Sequence, residues 1–105
     1  MPFVAHDVSL ELARVLQPTL AMIRLRDRKL ASQLQRAMQS IVLNLAEGRG
    51  RFGGDRRHHY RIAYGSVREV KAALELAVIG GAVAETPSAA AVAHRLGGLL
   101  WPLVR

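Results

Sequence analysis

One stretch governs what this chain can become. From Asp27 to Glu47, some twenty residues free of proline and glycine, Leu30, Leu34, Ala37, Met38, Ile41 and Leu45 recur at steps of three and four. At 100° per residue they fall in one sector about 100° wide, so the run is an amphipathic helix roughly 30 Å long with a core-facing stripe. Asp27 is its expected N-cap. Ser32, Gln35 and Gln39 face away from the stripe. Lys29, Gln33, Arg36, Ser40, Asn44 and Glu47 run between the two faces, and Leu43 points outward among polar neighbours. From Ile41 to Ala46 the helix is apolar nearly all round, more than one bundle core needs, which indicates a subunit contact.

The flanking segments have the same helical period. Asp7 or Ser9 is expected to cap a first helix carrying Val8, Leu12, Val15, Leu16, Leu20 and Ile23. Pro18 in its middle removes a backbone hydrogen bond and predicts a kink near residues 14–18, with the helix resuming to about Leu25; two separate helices are the alternative. The segment Gly48-Arg49-Gly50-Arg51-Phe52-Gly53-Gly54 ends the second helix, and Asp55 is expected to cap a third over about residues 55–80. Its core side is assigned to Ile62, Val70, Ala73, Leu76 and Ala77, and its solvent side to Arg57, Arg61, Arg68, Lys71 and Glu75. Tyr60, Tyr64, Val67 and Val78 form a second apolar strip which, with Leu43, is the candidate oligomer interface. Gly65 costs about 1 kcal/mol of helix propensity relative to alanine and is read as a site of close helix approach. Gly80-Gly81 breaks the third helix. Thr86-Pro87 opens a fourth to about Leu100, in which Val92, Leu96, Leu99, Leu100 and Trp101 close the core and Pro102 limits extension. No two-residue alternation marks a strand. The expected fold is all-α: residues 1–105 as one antiparallel up-down four-helix bundle, kinked at Pro18 and assembling into a homo-oligomer.

Charge narrows the function. Fifteen Lys and Arg against eight Asp and Glu give a formal net charge of +7 in 105 residues. The whole excess lies between residues 24 and 61, where Arg24, Arg26, Arg28, Lys29, Arg36, Arg49, Arg51, Arg56, Arg57 and Arg61 face only Asp27, Glu47 and Asp55. Arginine's planar fork grips a phosphate through two hydrogen bonds at once, so an anionic partner such as nucleic acid is expected. With no cysteine, disulfides, thiolate nucleophiles and Cys-ligated metals are excluded. No apolar run reaches membrane-spanning length and no leader pattern opens the chain, so a cytoplasmic protein is expected.

Candidate chemical sites are few. Adjacent His58 and His59 point about 100° apart on a helix, and His59 with Asp55 gives two ligands without a third, so no metal or cofactor is expected. Gly48-Arg49-Gly50-Arg51 follows a helix instead of a strand and matches no phosphate-loop or dinucleotide pattern. Glu69 falls about 20° from Ile62 on the wheel, among positions assigned to the core. It therefore sits at the bundle edge or is satisfied by Arg36, Ser40 or Asn44. No second carboxylate, serine–histidine pair or metal set accompanies it, and no enzyme activity is expected.

Two blocks carry a resemblance. Gln33-Leu34-Gln35-Arg36-Ala37-Met38-Gln39-Ser40-Ile41-Val42-Leu43-Asn44-Leu45-Ala46-Glu47-Gly48-Arg49-Gly50-Arg51 resembles the Q-x-x-R-A-x-x-S-I-x-x-N-I-A-E-G-x-G-R signature of the bacterial four-helix-bundle proteins encoded by intervening sequences of large-subunit rRNA genes. Tyr60-Arg61-Ile62-Ala63-Tyr64-Gly65-Ser66-Val67-Arg68-Glu69 is similar to that family's aromatic-x-I-A-x-G-S-x-x-E. The departures are Leu45 for the usual isoleucine, Val42-Leu43 before Asn44, and a loop unusually rich in glycine and arginine. The resemblance implies four-helix subunits assembled as a homopentamer. It also implies kinship with the accessory variability determinant of diversity-generating retroelements, which partners a reverse transcriptase and binds nucleic acid. Carried over by position, it gives Arg36, Asn44, Glu47, Ser66 and Glu69 framework roles.

The expectation is a non-enzymatic oligomeric scaffold that binds RNA or DNA backbone through Arg49, Arg51, Arg56, Arg57, Arg61 and His58. The competing reading is a protein-interaction module docking an acidic or enzymatic partner such as a reverse transcriptase. Membrane-surface binding is disfavoured by a basic face that lies partly in a glycine loop and by few aromatic anchors.

Overall fold

A computed structural model describes residues 3–105 as four helices: α1 (Val4–Arg26), α2 (Arg28–Arg49), α3 (Gly53–Ile79) and α4 (Pro87–Val104), with no strand among the described residues. Each helix packs against the next and α4 closes onto α1, so the four surround one core in a rod 42 Å long and 21 Å across. Direction follows from which residues meet. Gln17 reaches Met38 and Arg24 reaches Gln35 across α1 and α2. Asn44 meets His59 and Ser40 meets Ser66 across α2 and α3. Arg61 meets Val104 and Lys71 meets His94 across α3 and α4. As numbers rise on one helix they fall on its neighbour, which makes the bundle antiparallel.

Helix α1 runs unbroken through Pro18 as a single element. Proline withdraws its own N–H and crowds the Arg14 carbonyl that would have received it, and both Pro18 and Arg14 are exposed to water, where that carbonyl can be hydrated. The helix starts behind Phe3, earlier than a cap at Asp7 or Ser9 would place it. Asp7 instead lies in the first turn, where its charge suits the helix dipole, and buried Ser9 donates its Oγ back to the His6 carbonyl at 2.6 Å.

Asp27 alone joins α1 to α2. Its N–H donates to the Ile23 carbonyl at 2.7 Å, and its Oδ1 accepts from the Leu30 N–H at 3.0 Å, closing one helix and opening the next. All six residues of the α2 stripe are buried as the wheel predicts, and Leu43 stands out at 66% exposure.

Helix α3 is rotated relative to the expectation. Its buried series is Tyr60, Ala63, Val67, Val70, Ala73, Leu74 and Ala77, whereas Ile62 and Leu76, assigned to the core, are 38% and 56% exposed. Glu69 decides the phase. Residues 62, 69 and 76 are seven apart and share one face, so keeping an ionised carboxylate in water carries Ile62 and Leu76 out with it. Glu69 is accordingly exposed, and Tyr60 and Val67, expected on a strip for another subunit, fill the chain's own core. The expectation for Gly65 is also corrected, since a Cβ there would meet open space.

Helix α4 continues past Leu100 and through Pro102, because buried Val104 holds the last turn against the core. Trp101 is half exposed and lies against Tyr64, with ring centroids 5.6 Å apart, instead of closing the core.

Candidate nucleic-acid interface

Antiparallel packing divides the basic segment. Arg24, Arg26, Arg28 and Lys29 lie where α1 gives way to α2, whereas Arg49, Arg51, Arg56, Arg57 and Arg61 lie at the far end, where α2 gives way to α3 and α4 finishes. Arg36 is exposed on α2 between them. Sequence adjacency therefore does not make one continuous rim.

At the far end two glycines shape the turn. Gly48 is buried, and a Cβ on it would stand 2.6 Å from Tyr60 Cε1 and 3.1 Å from His59 Cβ, so only glycine lets α2 finish this close to α3. Gly53 opens α3 at φ +56°, a backbone region that side chains disfavour. With Phe52 as N-cap, α3 begins two residues before Asp55. Asp55 is thus a first-turn residue, and its carboxylate faces Arg51 instead of capping the helix.

The cations at this end have different environments. Arg51 lies between two carboxylates, with Nη2 2.5 Å from Glu47 Oε1 and Nη1 3.0 Å from Asp55 Oδ2. Its hydrogen bond and charge hold the Glu47 carboxyl below the usual carboxylate range, and Glu47 in turn raises Arg51 further above the ordinary arginine value. Arg51 therefore has its charge compensated within the chain and, among the predicted contacts, is the one least able to bind an outside phosphate. Arg56 donates from Nε to the Gly48 carbonyl at 3.2 Å and from Nη2 to the Arg49 carbonyl at 3.3 Å. These bonds satisfy the end of α2 and fix the guanidinium without neutralising it. Arg61 makes a comparable contact at 3.5 Å from Nε to the Val104 carbonyl of α4. Arg57 and His58 are exposed.

Arg49, Arg56 and Arg57, with Phe3, Gly53, Tyr60 and Leu103, line an open concavity of about 520 Å³. The Phe3 ring lies 5.6 Å from that of Tyr60 and 5.9 Å from the Arg49 guanidinium carbon. Arg56 likewise stands 5.8 Å from the Phe52 ring. Among the described residues no acidic side chain lines the concavity. Phe3, Gly53 and Leu103 are the residues the sequence reading missed. They come from three different elements, so only the closed bundle brings them beside the arginines.

Behind the concavity a polar chain ties α2 to α3. Ser66 Oγ donates to Ser40 Oγ at 2.9 Å, Asn44 Nδ2 donates to the Ser40 carbonyl at 2.8 Å, and Asn44 Oδ1 lies 3.0 Å from His59 Nδ1. Asn44 and Ser66 thus have the framework placement the resemblance implies, and Glu47 acts through its ion pair. Arg36 and Glu69 are exposed and make no hydrogen bond or ion pair among the described residues. Of the other interface candidates, Tyr64 is half-buried and Val78 is 38% exposed. Among the described residues no three metal-ligating side chains converge, and no helix is long and apolar enough to cross a membrane.

The family model for the 23S rRNA-intervening sequence protein matches residues 5–94, which covers α1 to α3 and the first part of α4. The chain belongs to this family. Comparisons with curated proteins and with solved structures return no match. The match includes both blocks singled out above, residues 33–51 and 60–69, and therefore most of the arginine end. Phe3 and Leu103 lie outside it.

Proposed function

We propose that this protein is a non-enzymatic nucleic-acid-binding scaffold that grips the phosphate backbone of RNA or DNA with the end of the bundle formed by Arg49, Arg56, Arg57 and Arg61. The observation that carries the reading is the concavity lined by three arginines and no carboxylate in a chain of net charge +7. The Arg56 and Arg61 guanidinium groups, held by backbone carbonyls, favour phosphate because little side-chain entropy remains to be lost on binding. The family's description as a 23S rRNA-intervening sequence protein agrees with a nucleic-acid partner.

A homo-oligomer, with the pentamer as the expected form, is part of this reading. Its support is the apolar surface left on one chain, with Leu43 at 66%, Leu76 at 56% and Ile79 at 80% exposure. Oligomerisation multiplies the cationic ends and makes weak single contacts cumulative.

The test is affinity for a hairpin RNA measured across a salt series. Binding should weaken steeply with salt, and Arg57→Ala should lower the logarithmic salt slope by about 1 without altering the unfolding transition. Absent or salt-independent binding would overturn the proposal. Light scattering of the same preparation should give a mass well above 11.5 kDa.

A further inference from the structure

We propose that the concavity at the α2–α3 turn is a pocket for one unpaired nucleotide, with its phosphate on the arginines and its base against the aromatic wall. This rests on reading the same end as a nucleic-acid contact, and it names what that contact selects.

The pocket has two chemically distinct sides. Arg49, Arg56 and Arg57 supply positive charge, and Phe3, Tyr60 and Leu103 supply an apolar wall. A duplex backbone lying across the opening would use only the cations and leave the apolar wall wet. A ligand that uses both sides is an anion carrying an apolar group, and among nucleic-acid states a nucleotide freed from base pairing is such a ligand, with a base able to stack on the rings. The volume of about 520 Å³ falls within the range of small-ligand sites, roughly 300–1,000 Å³. Glu47 and Asp55, the carboxylates nearest in sequence, are held by Arg51 and do not line the pocket. Gly53 brings bare backbone to the rim, where a Cβ would meet nothing within 4 Å, so a phosphate can approach the start of α3 closely.

The experiment compares three probes on the full chain: a short single-stranded oligoadenylate, a blunt duplex of equal length, and adenosine 5′-monophosphate. The single strand should bind more tightly than the duplex and should shift the Phe3, Tyr60 and Leu103 side-chain resonances. Phe3→Ala should weaken single-strand binding roughly tenfold, in line with loss of one stacked base, while leaving the salt slope unchanged. Phe3→Leu keeps the apolar volume without the ring and should weaken binding similarly, which guards against a folding artefact. Equal affinity for duplex and single strand with these resonances unmoved would overturn the pocket and leave backbone binding standing. Unchanged single-strand affinity in both Phe3 variants would overturn it too. Monophosphate binding here without affinity for either polymer would uphold the pocket as a free-nucleotide site while the proposed function fails. Silence from both monophosphate and single strand would overturn the pocket.

Discussion

The two ends of the rod are both basic, yet they are built differently. Near the α1–α2 joint, Arg28, Lys29 and Arg36 border a shallow groove with Ser32 and Gln33, and neighbouring Arg24 donates to Gln35 at 3.0 Å. Among the described residues nothing aromatic lines that groove. At the other end, Arg56 and Arg61 are held by the carbonyls that close α2 and α4, and rings stand beside Arg49 and Arg56. Charge density alone does not distinguish the ends; the fixing of the cations and the apolar wall beside them do. A basic face becomes selective when helix termini position its side chains, because an ordered guanidinium loses little freedom on meeting its ligand.

The largest expected effect tests what shapes the arginine end. Gly48→Val places carbon atoms where the Tyr60 ring and His59 Cβ now lie, and should cost about 3 kcal/mol in a urea unfolding series. A neutral outcome would mean that the close approach of α2 to α3 does not constrain this end.

The opposite end has its own counterpart. Asp27→Ala removes the single side-chain cap of α2, bonded to the Leu30 N–H at 3.0 Å, and should lower stability by about 1 kcal/mol without changing nucleic-acid affinity. A loss of affinity equal to that of Arg57→Ala would erase the distinction between the ends.

The smallest effect concerns the compensated arginine. Because Arg51 depresses the Glu47 carboxyl in the folded chain, this pair contributes stability above the unfolded-state carboxylate range. That contribution disappears as pH falls through the folded-state value. Both side chains are about half exposed, so solvent screening keeps the contribution small. In a carboxyl NMR titration the Glu47 midpoint should lie below that of the same residue in Arg51→Ala; coincident midpoints would show that Arg51 is not engaged and is available to phosphate.

Much of the fold was legible in the residues. The α2 stripe, its cap at Asp27 and the outward Leu43 follow from one strongly periodic run, whose six stripe residues fix the core face even though the helix turns apolar nearly all round after Ile41. Helix α3 was harder because two apolar series alternate along it, one through Tyr60, Val67 and Leu74 and the other through Ile62 and Leu76. A wheel drawn on hydrophobicity cannot choose between them. Glu69, seven residues from both members of the second series, held the deciding cost of burying a charge. The site was only half legible. The arginines announced themselves by count, but the pairing of Arg51 with Glu47 and Asp55 depends on i, i+4 geometry across a turn that is shorter than the glycine pattern implies, since α2 runs on to Arg49 and α3 already begins at Gly53. Phe3 and Leu103 lie near opposite termini and join the arginines only through tertiary closure.

The joint at Asp27 has a consequence for how this molecule can vary. With one residue between two long helices there is no slack, so lengthening the chain there would drag α2 out of step with its partners. The stretch over residues 80–86 is the longest joint between consecutive helices and lies at the end away from the pocket. Insertions, fluorescent labels or affinity tags belong in that connection, where growth of the chain leaves the arginine end undisturbed.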